Sequence, residues 1–87
     1  MNSEKAGEML KALGHPTRLE IVAGLMKDEC SVGEIQKKLG VPQSTISQHL
    51  RVLRNSGIIT ARKEGAKRCY KVVDSRARKI ARIMRMK

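Results

Sequence analysis

The tripeptide Gly40-Val41-Pro42 constrains the fold of this chain more than any other feature. Glycine followed closely by proline ends one helix and lets the next begin at once. Before the break, Ile35 and Leu39 mark a short amphipathic helix. It opens on Ser31-Val32-Gly33-Glu34, which has the form of a capping box: Ser31 would cap the N–H of Glu34, and Glu34 would reach back. After the break, a helix is expected from near Pro42 to about Asn55, with Gly57 as its left-handed cap. On a helical wheel Ile46, Leu50 and Leu53 fall in one sector, while Ser44, Gln48, Arg51 and Asn55 lie opposite and Thr45 and Ser47 flank them. Val52 falls outside the apolar sector and is expected to be partly covered by neighbouring structure. Two helices across a tight turn, the second turning small polar side chains outward, make a helix-turn-helix.

The rest of the chain supplies supports for that unit. Ala6, Met9, Leu10 and Leu13 form the stripe of an amphipathic helix over residues 3–13, which Gly14 ends. Pro16 suits a first helical position, and the helix it opens runs through Leu19, Ile21, Val22, Leu25 and Met26 to about Asp28. Ile58-Ile59-Thr60-Ala61 and Cys69-Tyr70-Lys71-Val72-Val73 have strand character, with a turn at Glu64-Gly65-Ala66-Lys67 between them. A last helix is expected over residues 75–86, N-capped by Asp74, with Ala77, Ile80, Ala81 and Met84 as its stripe and Ile83 widening it. The expected fold is mainly α with a small β-hairpin, in the order α-α-α-α-β-β-α: a winged helix-turn-helix, one domain over residues 1–87. A domain of 87 residues buries only about 60–65% of its unfolded surface, so a shared interface would extend a thin core. Met9, Leu10 and Leu13 on the first helix and Ile80, Ile83 and Met84 on the last are the expected homodimer interface.

Charge placement narrows the function. Residues 1–40 carry six basic and six acidic side chains, so the whole net charge of +11 belongs to residues 41–87. A one-sided positive field attracts a polyanion. Gln43, Ser44, Thr45, Ser47, Gln48, His49 and Arg51 form the expected reading surface for the major groove, with Gln43 and Gln48 suited to adenine's edge. Arg62, Lys63, Lys67 and Arg68 on the hairpin would lie along the backbone or enter the adjacent minor groove. His49, which flanks the apolar sector, suits packing or a phosphate contact. Tyr70 is the chain's one aromatic residue, too few stacking platforms for a reader of single strands. The expected partner is therefore double-stranded DNA with an imperfectly palindromic operator, bound by a dimeric repressor. The rival is a winged-helix module for protein or membrane-surface contacts; the polar outward face of the recognition helix argues against it. No nucleophile–base pair, paired acid set or phosphate loop suggests an enzyme.

No apolar run approaches the ~18–20 residues of a membrane span, and Met1-Asn2-Ser3-Glu4-Lys5 lacks a signal peptide's apolar stretch. A cytoplasmic location without membrane contact is expected. Cys30 reads as a small packing residue near a helix junction. Cys69, flanked by Arg68 and Lys71, reads as a thiol whose thiolate would be favoured. Both are redox candidates, and whether the two meet does not follow from the sequence.

The runs Ala12-Leu13-Gly14-His15-Pro16-Thr17-Arg18-Leu19, Ser44-Thr45-Ile46-Ser47-Gln48-His49-Leu50-Arg51-Val52-Leu53-Arg54-Asn55-Ser56-Gly57-Ile58-Ile59 and Arg62-Lys63-Glu64-Gly65-Ala66-Lys67-Arg68-Cys69-Tyr70 resemble the ArsR/SmtB family of bacterial and archaeal regulators. The resemblance covers about residues 9–73. It implies a winged-helix dimer released from its operator by a signal, with first and last helices paired across the dimer and Gln43, Ser44, Ser47 and Gln48 reading DNA. The chain departs from the family's metal sensors. Ser31 and Gly33 stand where the arsenic sensors have a Cys-x-Cys pair, and Cys30 lies one residue before it. The last helix offers Asp74 alone where zinc sensors use carboxylates and histidines, and the chain's two histidines are His15 and His49. No metal and no cofactor are expected.

Overall fold

A computed structural model describes residues 2–85 of the chain; Met86 and Lys87, placed by the sequence at the end of the last helix and on its basic face, lie outside the described residues. Five helices and one hairpin follow in order: α1 (Ser3–Leu13), α2 (Pro16–Lys27), α3 (Val32–Leu39), α4 (Gln43–Asn55), β1 (Ile59–Glu64), β2 (Lys67–Val72) and α5 (Ser75–Arg85). The order and bounds match the expected winged helix-turn-helix closely.

Local chemistry sets the boundaries. Asn2 Oδ1 accepts from the N–H groups of Glu4 and Lys5, so α1 starts there. Asp74 Oδ1 does the same for Arg76 and Ala77 at the start of α5. Pro16 opens α2, where its missing N–H costs nothing, and the ring of His15 caps the helix by accepting from Thr17 N–H at 3.1 Å. Gly40 and Gly57 take φ of +66° and +76°, which end α3 and redirect the chain after α4.

One cap differs from expectation. Ser31 makes no side-chain bond into α3; its hydroxyl donates backward to Asp28 O at 2.6 Å. Its ψ of 14° keeps the residue close to helical rather than extended geometry, which removes the capping box. Asp28 Oδ1 also accepts from Cys30 N–H at 2.9 Å, so the α2–α3 connection is a tight knot of side-chain-to-backbone bonds.

The core draws on every element except α3, which lines it with half-buried Val32, Ile35 and Leu39. Ile21, Val22 and Leu25 of α2, Ile46, Leu50 and Leu53 of α4, and Ile58 are its centre, all 5% exposed or less. A Cβ at Gly24 would stand 2.7 Å from Ile35 Cδ1, so the Ile35 side chain of α3 packs directly on the bare backbone of α2 there. Val52, expected to be partly covered, is 37% exposed.

The hairpin is longer than its apolar residues suggested. The antiparallel register runs from Ile59↔Val72 to Glu64↔Lys67, leaving Gly65-Ala66 as the two-residue tip. Alternation assigns the two faces. Ile59, Ala61, Tyr70 and Val72 pack with the core, whereas Arg62, Glu64, Lys67 and Cys69 share the opposite face. The charged tip residues add nothing to the core, so hydrophobic patterning alone stopped the strands short.

Candidate nucleic-acid interface

Helix α4 turns Gln43, Ser44, Ser47, Gln48 and Arg51 to solvent, with Thr45 and His49 half-buried at its edges. The buried stripe of Ile46, Leu50 and Leu53 fixes that orientation. Beside the helix lies an open groove of about 600 Å³ between the helix-turn-helix and the wing. Gln36 and Lys37 of α3, Gln43 and Ser47 of α4, and Lys67 and Arg68 of β2 all line it. The expected reading helix and the expected basic wing therefore border one concave surface. Lys63, Lys67 and Arg68 are exposed.

Arg62 differs from the other wing cations. Its Nε donates to Glu64 Oε1 at 3.0 Å and its Nη1 to Glu29 Oε1 at 2.6 Å. These two bonds, that to Glu64 first, raise its pKa further above the ordinary arginine value. Arg62 thus ties the wing to the α2–α3 connection through Glu29, while its side chain stays 40% exposed with N–H donors to spare. The i, i+2 spacing of Arg62 and Glu64 on one strand face is visible in the sequence; the partner Glu29 is not.

A second tie lies behind the reading helix. Arg18 Nε donates to Ala12 O, in the last turn of α1, at 2.6 Å. Its Nη1 lies 3.4 Å from His49 Nδ1, a long contact in which the ring nitrogen must accept, because a guanidinium has no lone pair to offer. The rings of His49 and His15 are 4.6 Å apart. Burial first, then the charges of His15 and Arg18, hold the His49 pKa below its ordinary value. His49 thus joins α4 to the α1–α2 corner. Arg18 was missed by the sequence reading, although it sits in the His15-Pro16-Thr17-Arg18 run that drew attention to the corner.

Cys30 and Cys69 are joined as a disulfide, with Cα atoms 4.2 Å apart. The reading of Cys30 as a packing residue is therefore corrected. Tyr70 N–H donates to Glu29 O at 2.7 Å, which lays β2 along the α2–α3 connection and brings the two sulfurs together. Glu64 joins them: one carboxylate oxygen and the two sulfurs all lie within 4.8 Å of one another. The hairpin register creates this cluster, and no spacing along the chain announces it.

The expected dimer residues divide in two. Met9 and Leu13 are 4% exposed, because α1 lays them on the chain's own core. Leu10 at 52% and Ile83 and Met84 at 64% remain exposed, with Ile80 half-buried between.

The family model for bacterial regulatory proteins of the arsR family matches residues 15–61, the stretch from the α2 cap through the first half of β1. The chain belongs to the ArsR family of transcriptional regulators. An HTH-type transcriptional regulator of Methanocaldococcus jannaschii is 44% identical over 82 residues, spanning 93% of this chain and 92% of that protein. The biofilm growth-associated repressor of Xylella fastidiosa is 39% identical over 75 residues, spanning 86% of this chain and 66% of the repressor. Among solved structures, reduced HlyU from Vibrio cholerae superposes with a TM-score of 0.86 at 36% identity, covering 95% of this chain and 87% of HlyU. The repressor BigR from Xylella fastidiosa superposes with a TM-score of 0.82 at 35% identity, covering 94% of this chain and 84% of BigR. The ArsR fold and the DNA-binding regulator class follow for this chain, and the family is one of regulators rather than enzymes. Among the described residues no helix is long and apolar enough to cross a membrane.

Proposed function

We propose that this ArsR-family protein binds an imperfectly palindromic operator as a homodimer and represses by occupying it. The observation that carries the reading is the shared groove, where Gln43 and Ser47 of α4 face Lys67 and Arg68 of the wing. Short hydroxyl side chains let the helix backbone approach base edges, and the glutamines can donate and accept there. Lys63, Lys67, Arg68 and Arg51 supply phosphate contacts, which position the protein without reading sequence.

Leu10, Ile83 and Met84 supply the dimer seam, with Ile80 at its edge; Met9 and Leu13 support it from within the core. An exposed apolar set at the two ends of so small a domain favours a partner of the same kind. A two-fold pairing of this sort sets two recognition helices about one DNA turn apart, ~34–36 Å. Reading of this kind calls for no cofactor. Cys30 and Cys69, joined beneath the groove, are the residues through which a redox signal would act.

The test is to enrich random duplexes on the pure protein and then compare variants. Gln48→Ala and Ser44→Ala should cost roughly 1–3 kcal/mol on the enriched operator and much less on random DNA. Lys67→Ala and Arg68→Ala should weaken both by similar factors. Operator preference that survives the Gln48 and Ser44 changes refutes the assignment of α4.

A further inference from the structure

We propose that the reduced protein binds one thiophilic divalent cation, of the Zn²⁺ or Cd²⁺ class, through Cys30, Cys69 and Glu64. The three donor atoms already lie within 4.8 Å of one another. Tetrahedral coordination at a metal–sulfur distance of about 2.3 Å places two thiolates about 3.8 Å apart. Parting the two sulfurs to that span and letting Glu64 Oε approach fits inside the existing separations.

Three further contacts join the same elements besides the disulfide. The Tyr70 N–H bond to Glu29 O at 2.7 Å lays β2 on the α2–α3 connection and does not itself depend on the sulfurs. Asp28 Oδ1 holds the N–H of Cys30 at 2.9 Å, so the second cysteine is fixed from its own side. Arg62, bonded to Glu64 and Glu29, orients the ligating carboxylate in the way that outer partners orient metal ligands.

Charge favours a cation in one redox state only. With the disulfide closed, Glu29 and Glu64 are balanced by Arg62 and by Lys67, which pairs with Glu64 across the hairpin, a local sum near zero. With two thiolates added the sum is two negative charges, which a divalent ion neutralises. Two sulfurs and one carboxylate select a soft or borderline ion over magnesium or calcium. Cys30 also borders the open groove, so water can complete the coordination from that side.

A dithiol reductant supplies two electrons and two protons and itself closes to a disulfide, while the Cys30–Cys69 bond opens to two thiols. Cation binding then replaces the two thiol protons, which pass to solvent. The site differs from the Cys-x-Cys arrangement that the sequence lacks: its donors come from the α2–α3 connection and from both strands of the wing.

The experiment titrates Cd²⁺ into full-length protein that has been reduced with a dithiol and desalted without oxygen. Thiolate-to-cadmium absorption in the ultraviolet and proton release are followed together. The expected result is one ion and two protons per chain, with no absorption from the oxidised protein. Cys30→Ser and Cys69→Ser should each abolish the tight site. Because Cys69 is fully buried and its variant can fail by misfolding, Glu64→Gln is the second probe: it changes an exposed side chain and should weaken binding about tenfold or more. Absent uptake, unchanged affinity in Glu64→Gln, or one ion shared between two chains would each overturn the proposal.

Discussion

Opening the Cys30–Cys69 bond should lower the stability of this protein by a large, calculable amount. The bond closes a loop with a sequence separation of 39. In the chain-entropy account, a cross-link of that span removes about 13 cal/mol/K from the unfolded chain, or about 3.9 kcal/mol at 25 °C. Native proteins have only about 5–15 kcal/mol in hand, so the effect is a sizeable share of the whole. For a domain of this size each kcal/mol moves the melting temperature by about 4–8 °C, which gives an expected fall of roughly 15–30 °C. The assay is thermal unfolding of oxidised and dithiol-reduced protein in metal-free buffer. Protein concentration is held fixed, because dimerisation makes melting concentration-dependent. The Cys30→Ser variant should melt like the reduced protein and ignore the reductant. Two redox forms that melt within a few degrees of each other would refute the reasoning: the Glu29–Tyr70 and Glu29–Arg62 contacts would then hold the wing unaided, and the unfolded chain would gain little freedom.

Three further outcomes are expected. Log affinity for DNA should fall linearly with log salt, with Lys67→Ala reducing the slope by about 0.9; an unchanged slope would remove Lys67 from the phosphate contacts. Because the His49 pKa is depressed on folding, its contribution is present above the ordinary histidine value of 6.5 and is lost as pH falls through the lower folded value. The wild-type protein should therefore lose more stability than His49→Gln between about pH 8 and pH 5, and equal losses in unfolding titrations would discard the assignment. Leu10→Glu and Ile83→Glu place charges on exposed apolar positions and should yield monomers in sedimentation with weakened operator binding; dimers that persist would place the seam elsewhere.

The helices were legible in the sequence because periodicity and punctuation agreed. Gly40-Val41-Pro42 separated α3 from α4, Pro16 opened α2, and Ile46, Leu50 and Leu53 turned the polar face of α4 outward. The reading surface followed from that rotation. What escaped were contacts between residues far apart in the chain. The Cys30–Cys69–Glu64 cluster depends on the hairpin register and on one backbone bond from Tyr70 to Glu29. Ser31 escaped for a local reason: its hydroxyl had two backbone partners within reach, and it took Asp28 O behind it over the N–H ahead. Met9 and Leu13 sit on the same stripe as Leu10, and the stripe alone could not apportion them between the chain's own core and a partner.

The wing is fastened to the α2–α3 connection by a covalent bond, a backbone hydrogen bond and the Arg62–Glu29 ion pair. These links restrain the base of the hairpin against swinging. The distance from its tip to the recognition helix behaves like the gap of a locked caliper, set before any duplex arrives. A DNA site whose grooves do not match that gap must deform to fit, so the cost of bending or narrowing the duplex becomes part of what the protein selects. Sequence preference should then extend to base pairs that no side chain touches.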